Sequence, residues 1–588
     1  MKKTIGPSFS DYIVKSKGRG RRFSGSSNQS MRDFFPFFAL LTLFLIIFFK
    51  LFYLEIVRFD YYKTLSEGNR IKTEVTRAER GIIFDRNGKA LVRNLPEFIQ
   101  TNGNFITFID KQQALSLIAQ GKGGNLETDI QREYLYKDDF SHVLGYTGQI
   151  SKDELLMKDF QDYNSGDFIG KSGLEKKYQQ ILGGHDGKKL YEIDARGNVV
   201  RFLGSQEAIP GDNLYTTLDL NLQLWASSAM SGVQKGALII SDPNNGGILA
   251  LVSKPSFDPN LFTHSKNYTA TSRYKNVEEI LQDNQNQPLL NRAIGGVYPP
   301  GSTFKLIVAS SALELGTINK DTKFEDTGIL RVGSFSFANW YYTSYGRTEG
   351  FLDVVGALRR SNDIFFYKTA ENTGVDKISE FAKKFDLGKK LGIDLEGEET
   401  GIVPSTSWKK ENIGDQWYLG DTYHFGIGQG YLLTTPLQVN FWTSVFANGG
   451  TLYKPHLIKG EKEVLNKNFI SSENINLIRE GMMQSCSTGG VAWPFFDFKV
   501  KNSNLKIDGL DYTQASSDGA KFVKVAVGCK TGTAETTPNQ NPHAWITVFA
   551  PFYHPELVVT VLVENGGEGS NIAAPIAKKI LEEYFTKK

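Results

Sequence analysis

The chain has 588 residues, a formal net charge of +3 and 12% aromatic residues. This length is too great for one hydrophobic core, so two or more domains are expected. The small net charge and the lack of a basic stripe argue against nucleic-acid binding, and the composition is typical of a folded α/β or α+β protein.

The N-terminal segment predicts a membrane anchor. Residues 34–54 form an almost unbroken apolar run, long enough to cross a bilayer as a helix. Eight Lys and Arg residues precede the run against two Asp, so the positive-inside rule keeps the basic tail, residues 1–33, in the cytoplasm and the rest outside. A cleavable signal peptide is the alternative, but the run is longer than a usual signal core and no small-x-small site follows it. We predict one transmembrane helix over 34–57 and location in the cytoplasmic (inner) membrane.

Residues 58–210 have strand and loop character and no evident catalytic cluster. Asn87-Gly88 lies between the apolar runs 82–84 and 89–91, which is the strongest short hairpin signal. Because the stretch lacks Ser-x-x-Lys, a His pair or a carboxylate constellation, we interpret it as a non-catalytic pedestal domain.

The pattern changes in residues 211–588, which have strands at both ends and helices between them. The predicted elements are a helix over 220–230, a hairpin of 237–240 with 248–252, helices carrying Ser302 and Ser361, strands near 523–530, 544–550 and 557–563, and a helix over 573–585. Such an order implies one antiparallel sheet that returns Lys530 to Ser302. The predicted fold class is α+β: a transmembrane helix, an elongated β-rich pedestal, and a domain with a central antiparallel sheet flanked by helices.

Three short motifs follow one another in this last domain. They are Ser302-Thr303-Phe304-Lys305, Ser361-Asn362-Asp363 and Lys530-Thr531-Gly532. A hydroxyl needs a neighbouring base to become a good nucleophile, and Ser and Lys at positions i and i+3 of a helix share one face. Pro299-Pro300-Gly301 predicts that a helix begins at Ser302, where free N–H groups favour developing negative charge. The three motifs together predict a serine acyl-transfer site that needs no histidine.

Each motif alone could be accidental. Ser407-Trp408-Lys409-Lys410 also matches Ser-x-x-Lys, and residues 26–28 and 472–474 also match Ser-x-Asn. The alternative is a helix N-terminus, a solvated helix end and a lysine at a strand edge. Lys-Thr-Gly occurs once, runs on into Thr533 and lies between two predicted strands. Order and context favour the catalytic interpretation.

With these motifs the chain resembles the class B penicillin-binding proteins, the peptidoglycan D,D-transpeptidases. The resemblance extends to Arg80-Gly81-Ile82-Ile83-Phe84-Asp85-Arg86-Asn87-Gly88, Gly170-Lys171-Ser172-Gly173-Leu174-Glu175, Lys254-Pro255-Ser256-Phe257-Asp258-Pro259-Asn260 and Tyr298-Pro299-Pro300-Gly301. Other stretches resemble the elongation type, penicillin-binding protein 2, more than the division type: residues 417–422, 428–438, His543-Ala544-Trp545 and Glu564-Asn565-Gly566-Gly567.

The resemblance implies roles for four residues of the first two motifs. Ser302 would attack the D-Ala–D-Ala carbonyl of a stem peptide, and Lys305 would be the base. Ser361 would pass the proton to the leaving amine, and Asp363 would hydrogen-bond Lys305 and the substrate amide. Lys305 must be neutral to accept a proton: burial and the charge of Lys530 lower its pKa, whereas an ionised Asp363 raises it.

The third motif would bind the substrate. Lys530 and Thr531 would supply a charge and a hydroxyl near the substrate carboxylate, and Gly532 would leave room along the strand. The backbone N–H groups of Ser302 and Thr533 would form the oxyanion hole.

Two departures from the family matter. Asp363 stands where many penicillin-binding proteins have Asn. Some relatives of the elongation type carry a zinc site of Asp, His and Cys between the first two motifs, but residues 306–360 contain neither His nor Cys. We therefore predict no zinc and no cofactor.

The only cysteines are Cys486 and Cys529. A pair in an exported domain could form a disulfide, but the sequence does not show that the two residues meet. Because Cys529 lies just before Lys530 at the end of a predicted strand, a small buried side chain is the default expectation.

Other functions remain as alternatives. A division-type transpeptidase would share the same motifs. A β-lactam sensor would need a cytoplasmic effector or several spans, and a class A β-lactamase would need a Glu-x-x-x-Asn that we do not find. A bifunctional polymerase would need paired glutamates in the pedestal. The resemblance implies peptidoglycan stem peptides, β-lactams, the lipid bilayer and a SEDS-family (RodA-like) glycan polymerase as partners.

Overall fold

The computed structural model describes residues 35–588 except 103–104, 110, 122–125, 162, 195, 264–267, 269, 461, 502–512 and 516–520. The predicted basic tail lies outside the described residues. Helix α1 (Phe35–Phe52) continues into one turn of π-helix, Tyr53–Val57. These 23 residues are long and apolar enough to cross a membrane, and none of their side chains is buried. The predicted N-terminal apolar helix is confirmed.

Residues 59–206 are mainly strands joined by short helices. The elements are α2 (Phe59–Arg70), β1 (Ile71–Thr76), β2 (Ile83–Phe84), β3 (Val92–Asn102), β4 (Phe105–Ile109), α3 (Lys111–Ala119), β5 (Leu126–Tyr134), α4 (Ser141–Leu144), β6 (Thr147–Gln149), β7 (Phe168–Gly170), α5 (Gly173–Lys177), α6 (Gln179–Leu182), β8 (Gly187–Ile193) and β9 (Val199–Gln206). The hairpin predicted at Asn87-Gly88 is confirmed, because Phe84 and Ala90 form an antiparallel bridge across this turn.

Residues 214–352 contain the first half of the predicted catalytic domain. The elements are β10 (Leu214–Tyr215), α7 (Leu220–Ala229), β11 (Gly236–Ser241), β12 (Ile248–Lys254), α8 (Asn260–Thr263), α9 (Val277–Gln282), α10 (Lys305–Glu314), β13 (Phe324–Asp326), β14 (Ile329–Val332), β15 (Phe335–Ala338), α11 (Trp340–Tyr345) and β16 (Gly350–Leu352).

Helices dominate the next part, and strands return near the C-terminus. The elements are α12 (Val354–Arg360), α13 (Asp363–Thr373), α14 (Val375–Ala382), α15 (Thr406–Asn412), α16 (Leu419–Gly426), α17 (Pro436–Ala447), β17 (Thr451–Tyr453), β18 (Val464–Lys467), α18 (Ser472–Ser485), β19 (Lys499–Lys501), β20 (Thr513–Ala515), β21 (Lys521–Lys524), β22 (Gly528–Ala534), β23 (His543–Ala550), β24 (Leu557–Val563) and α19 (Ala573–Lys587).

A five-stranded antiparallel sheet joins the two ends of this region in the order β12-β11-β24-β23-β22. Side chains alternate between its faces, so Ile239 packs into one hydrophobic cluster and Leu238 into another. Because both faces are buried, four of these strands are largely apolar runs in the sequence, whereas β22 contains Lys530, Thr531 and Thr533. The predicted α+β class and the central antiparallel sheet are confirmed.

The chain forms two compact units. One comprises the described residues up to 75 together with 188–206, and it contains nearly all of strands β1, β8 and β9, which form a sheet. The other comprises residues 76–187 and 207–588 and contains all three motifs. The domain limits 58–210 and 211–588 stay predictions.

A disulfide joins Cys486, directly after α18, to Cys529 on β22, and the two Cα atoms are 5.9 Å apart. Both residues are buried, as expected for Cys529, but Cys529 is bonded and not a free thiol. Strand β22 is therefore tied to the end of α18 one residue before Lys530.

Replacing both cysteines by Ser should destabilise the domain. A cross-link between residues 43 positions apart restricts the unfolded chain by about 4 kcal/mol in the chain-entropy model. Thermal unfolding of the detergent-solubilised protein should show a lower melting temperature for the double variant, which a reducing agent should not lower further. Two free thiols in the unreduced, denatured wild-type protein would contradict the pairing.

Candidate active site

Ser302 lies in a 3₁₀ turn, Gly301–Phe304, and α10 begins at Lys305. The sequence predicted that one helix begins at Ser302, so the helical start is right but its first turn is tighter than an α-helix. In a 3₁₀ turn the side chains at i and i+3 eclipse, which keeps Ser302 and Lys305 on one side. Ser302 is half-buried, whereas Lys305 is completely buried.

Two glycines let β22 approach this turn. Gly301 has φ +53°, and a Cβ built there would lie 2.8 Å from the Thr533 carbonyl oxygen. A Cβ on Gly532 would lie 3.0 Å from the Pro300 carbonyl oxygen. The space beside Gly532 is thus filled by the turn before Ser302, which brings the Thr533 backbone next to that turn.

The stretch before Ser302 is hydrogen-bonded to two other stretches that resemble the penicillin-binding proteins, residues 543–545 and 564–567. The Tyr298 hydroxyl donates to Glu564 at 2.7 Å, and Arg292 Nε donates to the same carboxylate oxygen at 2.6 Å. Trp545 Nε1 donates to the Pro299 carbonyl at 3.1 Å. These bonds attach the turn to β23 and to the end of β24.

Ser361 ends a helix and does not lie inside one. It follows α12 with φ +54° and ψ +36°, the left-handed conformation, and Asn362 then caps α13 by accepting from Phe365 N–H. The prediction of a helix containing Ser361 is wrong, because the chain reverses between two helices there. A non-glycine residue in this region is uncommon and costs about 1 kcal/mol or more.

Two lysines from distant parts of the sequence converge on Ser361. Lys530 Nζ donates to Ser361 Oγ at 2.8 Å and to the Thr531 carbonyl at 2.9 Å. Lys305 Nζ donates to the Ser361 carbonyl at 2.8 Å and lies 3.5 Å from Ser361 Oγ. The predicted meeting of the first, second and third motifs is therefore present.

The Asp363 carboxylate pairs directly with Lys305, and its charge also acts on Lys530. Lys305 Nζ and Asp363 Oδ1 are 2.6 Å apart. Burial lowers the pKa of Lys305 and outweighs the opposing effect of Asp363. Burial, with the nearby charge of Lys305, lowers the pKa of Lys530 well below its ordinary value. The site therefore favours a neutral amine at a pH where an exposed lysine would be charged.

The predicted substrate-binding residues Thr531 and Thr533 lie on the same strand but differ in exposure. Thr531 is buried and Thr533 is exposed on β22, the edge strand of the sheet. Within the described part of the chain, the hydrogen bonds of the Lys305 amine go to Ser361 and Asp363, and none goes to Ser302 Oγ. The roles assigned to all eight residues stay predictions.

Sequence reasoning missed the residues that hold Asp363. Trp340 N–H donates to Asp363 Oδ2 at 2.9 Å, and Asn339 Oδ1 accepts the Asp363 N–H at 3.0 Å. Both residues come from the segment between the first two motifs, where no spacing rule or motif marks them.

No group of three or more His, Cys, Asp or Glu side chains suited to a metal ion occurs among the residues that the structure describes. The expectation of no zinc stays a prediction.

Comparison with known proteins places the chain in a family. The model of the penicillin binding protein transpeptidase domain matches residues 236–582, and that of the penicillin-binding protein dimerisation domain matches residues 101–216. The chain belongs to the class B penicillin-binding proteins. The resemblance inferred from the motifs is confirmed.

Relatives of this class B penicillin-binding protein are similar over nearly their whole length. The peptidoglycan D,D-transpeptidase MrdA of Haemophilus influenzae is 32% identical, with 95% of this chain and 92% of that protein covered. The MrdA of Escherichia coli K12 is 32% identical, with 94% of each covered.

Solved structures of penicillin-binding protein 2 are also similar to this chain. Penicillin-binding protein 2 of Helicobacter pylori, in complex with MreC, gives a TM-score of 0.73 at 28% identity and covers 87% of this chain and 98% of that one. The Pseudomonas aeruginosa PBP2 in complex with WCK 5153 gives 0.67 at 29% identity, covering 87% and 96%. The resemblance to the elongation type is thereby confirmed.

Replacing Asp363 by Asn should move the acid limb of the acylation pH profile to lower pH. The carboxylate raises the pKa of Lys305, so its removal lowers that pKa and leaves more neutral amine at a given pH. The measurement is the rate constant of fluorescent-penicillin labelling from about pH 5 to about pH 10.

The matched control is Asp415→Asn, which weakens a different lysine–aspartate pair, Lys409–Asp415. The control should leave the pH profile in place. An acid limb that stays where it is, or moves to higher pH, in Asp363→Asn would contradict the assigned effect of this carboxylate.

Proposed function

We propose that the protein is a membrane-anchored peptidoglycan D,D-transpeptidase of the elongation type, which crosslinks stem peptides through an acyl-enzyme on Ser302 and is acylated by β-lactams. The observation that carries this proposal is the convergence of the buried Lys305 and Lys530 on Ser361, with Ser302 one turn before Lys305. The activity in the names of the MrdA relatives supports it.

In acylation, Lys305 acts as the base. A neutral lysine amine has two N–H donors and one lone pair. The structure directs donors to the Ser361 carbonyl and to Asp363, which leaves the lone pair for the proton of Ser302 Oγ. As the Oγ–carbonyl bond forms, the peptide bond to D-Ala breaks, and the departing amine takes a proton relayed by the Ser361 hydroxyl.

The developing oxyanion accepts hydrogen bonds from the backbone N–H groups of Ser302 and Thr533. The close approach of β22 at Gly301 and Gly532 supports this pairing. Loss of one such donor costs about 3 kcal/mol of transition-state stabilisation in enzymes of this kind.

Lys530 binds the substrate carboxylate, with Thr531 beside it. Burial and the nearby charge of Lys305 disfavour a charge on this amine. An arriving carboxylate compensates the charge and raises the pKa of Lys530, so substrate binding and protonation of Lys530 are coupled. A second stem peptide then brings the amine that attacks the acyl-enzyme, forms the crosslink and releases Ser302.

The helix over residues 35–57 anchors the enzyme in the cytoplasmic membrane, with the basic tail inside and the catalytic domain outside. We expect it to pair with a SEDS-family (RodA-like) glycan polymerase. A similar structure, at 27% identity and a TM-score of 0.70, is described as a peptidoglycan synthase complex.

Replacing Ser302 by Ala should abolish covalent labelling by a fluorescent penicillin. The variant removes only the attacking oxygen, so the loss should be complete at concentrations that saturate the wild type. In-gel fluorescence of the detergent-solubilised protein measures it. The matched control is Ser407→Ala, which alters the exposed serine of the second Ser-x-x-Lys match and should label normally.

Two results would contradict the proposal. Labelling that persists in Ser302→Ala would remove Ser302 from its role. Rapid loss of the label from the wild-type protein would instead indicate a β-lactamase, because hydrolysis of the acyl-enzyme requires a base that activates water.

Exchanging residues 34–57 for an unrelated transmembrane span should weaken the association with the polymerase, because contacts within the membrane contribute to such pairing. Co-purification from membranes that contain both proteins measures it, and penicillin labelling of the exchanged protein controls for folding. Unchanged co-purification would show that the anchor does not select the partner.

A further inference from the structure

The segment between the first two motifs contains a buried carboxylate with three hydrogen-bond donors. Asp326 is 3% exposed. Its Oδ1 accepts from Gly328 N–H at 2.8 Å, and its Oδ2 accepts from Asn339 Nδ2 at 2.9 Å and from Glu349 N–H at 3.0 Å. The carboxylate thus fixes three points of the segment that runs past the active site.

Asn339 is completely buried and connects Asp326 to the active site. Because its Nδ2 donates to Asp326, its Oδ1 is turned toward α13, where it accepts the Asp363 N–H at 3.0 Å. The next residue, Trp340, donates its N–H to Asp363 Oδ2 at 2.9 Å. The other oxygen, Oδ1, is the one that contacts Lys305 at 2.6 Å.

A second connection runs from the same segment to the middle motif. Glu349, whose N–H is held by Asp326, accepts from Asn362 Nδ2 at 3.0 Å and pairs with Arg360. Asp326 therefore anchors both the segment that holds Asp363 and the segment that holds Asn362, on either side of the left-handed turn at Ser361.

We propose that Asp326 and Asn339 are positioning residues of the acylation step, which hold the Asp363 carboxylate in the orientation that directs Oδ1 to the Lys305 amine. Neither residue touches Lys305 or Ser302 in the described hydrogen bonds; both act through Asp363. The inference rests on the proposed function and concerns how its base is kept in place.

A carboxylate at the start of a helix can rotate, so its orientation depends on its hydrogen bonds. Asp363 is the first residue of α13, and its side chain can rotate unless both oxygens are bonded. The Trp340 N–H fixes Oδ2, so Oδ1 remains directed at Lys305. The ionisable groups around Asp363 are Lys305 on α10, Lys530 on β22, Tyr367 on α13, and the Glu349–Arg360 pair.

The test is a double-mutant cycle between Asp326→Asn and Asp363→Asn. The amide at 326 places N–H groups against the donors of Asn339 and Glu349, so the segment loses its hold on Asp363. We expect Asp326→Asn to lower the plateau rate constant of fluorescent-penicillin acylation by about tenfold, and to move the acid limb to lower pH as Asp363→Asn does. The double variant should be no slower than Asp363→Asn alone.

Two further variants complete the design. Asn339→Asp, which keeps the size but places a second oxygen against Asp326, should give the same shift and the same lack of additivity. This variant decides the matter if Asp326→Asn does not fold. Asp321→Asn, an exposed carboxylate of the same segment paired with Lys320, should behave as wild type.

The outcomes distinguish failure of the positioning role from failure of the proposed function. Losses that multiply in the double variant, with an acid limb that does not move, would overturn the positioning role. So would wild-type acylation in Asp326→Asn and in Asn339→Asp. If the wild-type protein itself is not labelled at Ser302, the proposed function fails first.

Discussion

The site depends on burying two lysine amines beside one carboxylate. Transfer of a charged group from water to a protein interior is costly unless a partner compensates it, and here Asp363 directly pairs only Lys305. Lys530 has hydroxyl and carbonyl oxygens as its hydrogen-bond partners. The surplus of amines over carboxylates favours loss of a proton from the site, and a neutral amine next to a serine is what acyl transfer without histidine requires.

The fold brings these groups together from three separate stretches of the sequence. The central sheet pairs strands from both ends of residues 236–563, so that the edge strand β22 lies against the turn of Ser302. The disulfide at Cys529 holds that strand, and the Glu564 contacts hold the turn. A left-handed residue between α12 and α13 presents Ser361 to both lysines. Each of these features restricts the backbone near one of the three motifs. Together they hold in place the side chains of the site, which would otherwise be flexible.

Much of this architecture is predictable from the sequence, because four strands of the central sheet are largely apolar runs and the fifth, β22, contains the characteristic Lys530-Thr531-Gly532 motif. The conformation of Ser361 is not, since nothing in Ser-Asn-Asp distinguishes a helix interior from a reversal between two helices. The cysteine pairing depends on three-dimensional distance, which spacing does not give. The roles of Asp326 and Asn339 escape prediction for the same reason: they belong to an irregular segment, and their significance comes from bonds to a residue far along the chain.

Burial lowers the pKa of the Lys305 amine, and the acylation chemistry of the site depends on this shift. The most direct test is the pH dependence of the acylation rate constant of the wild-type protein with a penicillin. The rate should level off below about pH 10.4, where an unperturbed lysine titrates, because the buried amine loses its proton at a lower pH. A rate that continues to rise tenfold per pH unit up to that value would show that the base titrates as an ordinary lysine and that burial does not lower its pKa.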